Sequence, residues 1–111
     1  MQIYELRQLK DQRDELDRSY FEFLRAPSLS MGLYHLPAGT TDPQSPHTED
    51  EVYYVVKGRA RIKVGNEDRP VEAGSIVFVE KNVEHRFHSI EEDLEVPVFF
   101  APAEHLLSRK A

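Results

Sequence analysis

His47, Glu49 and Glu51 stand two residues apart in the stretch PHTEDEVYYVVKG, residues 46–58. In an extended chain successive side chains alternate, so these three share a face. Val and Tyr, which follow, favour strands, whereas Asp and Glu are depleted there, so the carboxylates are either a solvated edge or a binding site. Glu51 continues the face of Tyr53 and Val55. If that face turns inward, a carboxylate without a partner would be costly to bury, and it would need a cation or a hydrogen-bond donor. A divalent metal shared with His47 is the simplest such partner. The best candidate for a third ligand is His85, which opens a later strand-like segment just after the turn EKNV. His88 lies three residues on and faces the opposite way by alternation. His35 and His105 stand alone and read as surface or packing residues.

Composition narrows the partners. The chain has 111 residues, 40% hydrophobic and 31% charged, enough for one globular domain with a single core. A net charge of −6 argues against a nucleic-acid partner, which calls for a basic patch. No apolar run has the length of a membrane span, and the first 25 residues are charged throughout, so neither a membrane segment nor a secretory signal is expected. There is no cysteine, so a metal would be held by His, Asp, Glu, Gln or water. The expectation is a cytoplasmic protein.

The elements that must position these residues follow from hydrophobic period. Leu6, Leu9, Leu16, Tyr20 and Phe23 recur at helical steps and predict an amphipathic helix over 3–24, with Arg13 where the stripe calls for an apolar group. Pro27 ends it. Beyond it the period drops to two. Strands are predicted over 28–36, 52–58, 60–65, 75–79, 85–90 and 95–101, with 52–58 and 60–65 forming a hairpin and 69–74 a connection. One helix followed by short strands separated by Gly, Pro and Asn turns implies an all-β sandwich or barrel. Residues 1–27 form its N-terminal helical part and 28–111 the barrel.

Two motifs in this background resemble those of small single-domain cupins. The family's first motif is a glycine, five residues, His-x-His, three or four residues, Glu, six residues, Gly. Gly39, His47, Glu51 and Gly58 match it, while Ser45 stands where the first histidine belongs. The second motif is a glycine, five residues, Pro-x-Gly, two residues, His, three residues, Asn. Gly74 and His85 match it, with Glu80, Asn82 and Ser89 replacing the proline, glycine and asparagine. Asn82 is a reasonable stand-in, because Asn tolerates the left-handed conformation of a turn glycine. The motifs cover residues 39–58 and 74–89.

The resemblance implies a double-stranded β-helix, the jelly-roll barrel of RmlC-like proteins, with a mononuclear metal inside and a homodimeric assembly. Carried over residue by residue, the metal set is His47, Glu51 and His85, with Gln44 as a possible fourth donor. Two histidines and one carboxylate can hold Fe, Mn, Ni, Co or Zn with positions left open. Tyr53 and Phe87 share faces with Glu51 and His85 and are expected as pocket walls. Glu49 has two readings, a general base near the metal or a rim charge paired with Arg59, Arg61 or Lys63. Those cations alternate with apolar residues and would suit an anionic ligand if they faced inward. The implied function is binding a small polar molecule, with oxygenase, isomerase or lyase chemistry, or a non-catalytic ligand-binding or structural dimer as the alternative. The sequence does not choose between turnover and binding.

Overall fold

A computed structural model describes residues 1–43 and 46–105. Gln44 and Ser45 lie outside the described residues. Among the described residues the elements are one helix, α1 (Leu6–Glu15), and seven strands. These are β1 (Tyr20–Ala26), β2 (Leu29–Leu36), β3 (Asp50–Tyr54), β4 (Lys57–Val64), β5 (Glu67–Glu72), β6 (Ile76–Val79) and β7 (His85–Ala101). All pairings between them are antiparallel. This is the all-β jelly roll with an N-terminal helix that the motifs implied. Among the described residues no helix is long and apolar enough to cross a membrane.

β7 organises the barrel. Its first half pairs with β4, from Val64↔His85 to Lys57↔Glu95, and β4 pairs in turn with β5. Its second half pairs with β2 on one side and β3 on the other, giving the order β1-β2-β7-β3-β6. One strand therefore belongs to both layers, and the two layers enclose the core. Tyr53, Val55, Ile62, Phe87, Leu94, Val96 and Phe100 are buried within it. The passage between layers shows in the backbone. Ser89 has a φ of 49°, and the β4–β7 register shifts twice between Lys57 and Arg61. Gly58 lies at that irregularity with a φ of 100°, where a Cβ would come within 2.3 Å of the Asp93 carbonyl oxygen. Only glycine allows this approach.

Three sequence expectations are corrected. The helix ends at Glu15, not residue 24, and Asp17 turns the chain through a left-handed conformation (φ 52°). The aromatic run from Tyr20 then pairs with β2, because tertiary pairing outweighs a helical stripe whose Leu6 and Leu16 stay exposed. The sheet thus starts inside the 1–27 segment. The expected hairpin of 52–58 with 60–65 does not form. β3 pairs with β6 and β7, and β4 makes its hairpin with β5, the segment read as a connection. The two final strands are one, β7.

Arg13, the misfit of the helical stripe, is 1% exposed and grips Glu95, itself 3% exposed, through both carboxylate oxygens. This pair fastens α1 to β7. Removing one partner of a buried pair leaves the other charge uncompensated, so Arg13→Ala is expected to lower stability by about 3–5 kcal/mol in urea unfolding. The double substitution Arg13→Met with Glu95→Leu is expected to recover most of that loss.

Candidate metal centre

The face that alternation assigned to Glu51 does turn inward. Glu49, Glu51, Tyr53 and Val55 are all buried. β3 brings Glu51 opposite Phe100 of β7 and Val79 of β6. His85 begins β7, just past the turn in which Asn82 holds a left-handed φ of 65°. That turn also fixes the loop carrying His47, since the Asn82 N–H donates to the His47 carbonyl at 2.7 Å. Two chain segments remote in sequence are thus locked together beside Glu51.

The three side chains converge. Glu51 Oε1 lies 2.6 Å from His85 Nε2 and 3.5 Å from His47 Nδ1. One ligand atom from each of the three falls within 4.8 Å of the others. Glu51 and the His85 side chain are 1% exposed. Aromatic rings hold the imidazoles in place: Phe100 sits 4.9 Å from the His47 ring, and Tyr53 6.0 Å from His85.

Both Glu51 carboxylate oxygens, His85 Nε2 and His47 Nδ1 are buried, yet none has a hydrogen-bond partner among the described residues. Buried polar groups are nearly always partnered, so four unpartnered atoms in one small cluster call for a physical reason. His85 Nδ1–H donates to the Val83 carbonyl at 2.8 Å, which leaves Nε2 with its lone pair toward Glu51 in the neutral ring. Donors of this kind, two imidazoles and one carboxylate, suit a divalent transition metal.

The electrostatics agree with a site built for a cation. Burial alone would depress the pKa of His47, but the carboxylates of Glu104 and Glu51 close to its ring outweigh it and raise it to about 10. Burial likewise opposes the charged form of His85, and Glu51 with the Val83 carbonyl overcomes it, so its pKa is raised. Burial would raise the Glu51 pKa, yet the two histidines hold it below the usual carboxylate range. Positive charge is what this carboxylate demands, and protons and a metal would compete to supply it.

The other expected site residues lie elsewhere. Tyr53 and Phe87 are buried with their rings 4.9 Å apart, Tyr53 beside His85, and neither lines the cavity beside His47. That cavity, about 190 Å³, is lined by Ser19, Tyr20, Tyr34, His47, Val98, Phe100 and Glu104. Glu49 is no rim charge. It is 1% exposed, accepts from the Thr48 hydroxyl, and is not part of the three-residue cluster. Arg59, Arg61 and Lys63 face outward, Arg59 toward Glu91 and Glu92 and Arg61 onto Asp68, so no cationic face lines the interior. His88 pairs with Asp68 at 2.9 Å, away from the site.

Sequence reasoning missed Tyr20 and Glu104. Its helical spacing puts Tyr20 in the helix, and Glu104 follows β7 in a tail without periodic signal. The Tyr20 hydroxyl is buried and without a hydrogen-bond partner among the described residues. Burial, reinforced by the nearby carboxylates, raises its pKa strongly.

Comparisons with known proteins agree with this architecture. The family profile described as Cupin domain matches residues 32–100. The uncharacterised protein SCO3923 of Streptomyces coelicolor is 51% identical over 104 residues, covering 94% of this chain and 99% of its own. The crystal structure of TT1209 from Thermus thermophilus is similar at a TM-score of 0.75, 22% identity and coverage of 93% of this chain and 99% of that one. An RmlC-like protein from Methanocaldococcus jannaschii, mj0764, matches at 0.71 and 21% identity, covering 83% and 84%.

Tyr20 owes its place to Gly32 on the neighbouring strand, where a Cβ would fall 2.1 Å from the Tyr20 ring and hydroxyl. Gly32→Ala is expected to push this wall of the cavity aside and to cost about 1–3 kcal/mol, as overpacking typically does. Thermal unfolding of the variant checks it.

Proposed function

The chain belongs to the cupin family, and we propose that it binds one divalent metal ion through His47, Glu51 and His85 and holds a small polar molecule beside it. The observation that carries this reading is that His47, Glu51 and His85 each bring a ligand atom within 4.8 Å of the others, among atoms that are buried and unpartnered. When bound, the metal would supply Lewis-acid polarisation and open positions for a substrate or O₂, the chemistry shared by oxygenases, isomerases and lyases of this ligand type.

The chain's own groups set what can bind. The cavity beside His47 is below the usual range of drug-sized sites and holds about six water volumes. It is walled by apolar Val98 and Phe100, with the Tyr20 hydroxyl and the Glu104 carboxylate as polar anchors. Such a site favours a compact molecule with a hydrogen-bond acceptor for Tyr20 and a donor for Glu104. The His47 ring lies along its wall and is where the molecule would meet the metal. Tyr34 is fixed rather than free, its hydroxyl donating to Asp42 at 2.7 Å while Asp42 accepts from the Phe87 N–H at 2.9 Å.

The alternative, a non-catalytic or structural dimer, has an observation of its own. Ile76 and Phe78 on the terminal strand β6 are 71% and 59% exposed, and Tyr54 of adjacent β3 is also exposed. An edge strand with large apolar side chains facing solvent fits a homodimer through this sheet. Size measurement by light scattering, with Phe78→Glu as the disrupting variant, tests the assembly separately from the metal.

Purified protein is expected to take up about one equivalent of Mn²⁺, Fe²⁺, Ni²⁺, Co²⁺ or Zn²⁺ per chain, and His47→Ala with His85→Ala to lose it. Elemental analysis after metal incubation measures this, and no retained metal in the wild-type protein overturns the proposal. O₂ uptake by the iron form in the presence of small phenols, diketones or sugar acids would mark turnover. Saturable binding without uptake would mark a binding protein.

A further inference from the structure

The His47 ring is held on two sides by carboxylates. Nδ1 faces Glu51 Oε1 at 3.5 Å, and Nε2 faces Glu104 Oε2 at 3.1 Å. Glu104 is outside the group whose ligand atoms all lie within 4.8 Å of one another, so it stands behind the ring rather than around the ion. Its side chain is 14% exposed, and its position is built rather than incidental. The Glu104 N–H donates to the hydroxyl of fully buried Ser30 at 2.8 Å, the preceding Ala103 is itself fully buried, and the Ala103 N–H reaches the Pro27 carbonyl at 3.3 Å. The Phe100 ring packs against the same imidazole, 4.9 Å away and tilted by 54°. Glu104 Oε2 also lies 3.4 Å from His105 Nε2.

A carboxylate that accepts the proton of one imidazole nitrogen fixes the tautomer and frees the other nitrogen as a ligand. We propose that Glu104 is the positioning residue of the metal centre: it holds His47 Nε2–H, so that His47 presents Nδ1 to the ion. His85 is held the other way round, Nδ1–H on the Val83 carbonyl and Nε2 toward Glu51. The two histidines therefore offer opposite nitrogens, and a carboxylate contributed by the segment after β7 serves a ligand from the loop before β3. This inference rests on the metal reading.

The test uses the intact protein loaded with Zn²⁺ and long-range ¹H–¹⁵N correlation of the histidine rings. The expected spectrum has His47 bound through Nδ1 with a retained Nε2 proton, and His85 bound through Nε2. Zn²⁺ affinity by chelator competition is expected to fall about 10-fold in Glu104→Gln and up to about 100-fold in Glu104→Ala, the range seen when an outer partner of a ligand is lost. Metal-free melting of both variants separates this from unfolding. Coordination of His47 through Nε2 overturns the proposal, as does a Glu104→Gln affinity within 2-fold of wild type. If neither variant folds, the wild-type spectrum alone decides. Failure of the wild-type protein to bind Zn²⁺ or any other divalent ion overturns the metal reading and this inference with it, whereas wild-type binding through Nε2 of His47 overturns the inference alone.

Discussion

Glu51 is a carboxylate at 1% exposure with an imidazole on either side, and the fold is shaped by the need to keep it there. Taking a charge out of water is expensive, and the interior must return the lost solvation through fixed partners. Three segments do so at once: β3 carries the carboxylate, the preceding loop brings His47, and the start of β7 brings His85. The backbone bond from Asn82 to His47 ties the two imidazoles' supports together, so neither can retreat without the other.

A second buried carboxylate shows what a completed pair looks like. Glu95 receives both arms of the Arg13 guanidinium, a geometry with the directionality of paired hydrogen bonds. Around Glu51 the two imidazole nitrogens stand at 2.6 and 3.5 Å, without the paired hydrogen-bond geometry of the first. The first arrangement is closed and structural. The second brings one donor atom from each of three side chains within 4.8 Å of the others, an arrangement that could hold a metal ion.

What could be read from sequence was local. Period-two spacing put Glu51 on one face with Tyr53 and Val55, and that face is the interior one. The left-handed turn at Asn82 followed from the residue type, and Arg13 stood out because it interrupted an apolar stripe. The failures were of pairing. Tyr20 and Phe23 fit a helical stripe as well as a strand, and only β2 alongside decides between them. Nothing in the chain between Lys57 and Val64 reveals that its partners are β5 and β7 rather than the adjacent β3. Glu104 reaches His47 across more than fifty residues, a contact without a local signature.

The role of β7 in both layers bears on how the protein comes into being. Its partners β2, β3 and β4 are all synthesised earlier and have to wait for it, since each pairs with a strand made after them. Non-local pairing of this kind is slow and leaves apolar strands unpaired in the interval. His85 opens that strand, and Glu104 follows its end. The imidazole–carboxylate cluster is therefore a late product of folding, assembled as the barrel closes, and a growing chain still short of β7 carries Glu51 and His47 without His85 or Glu104.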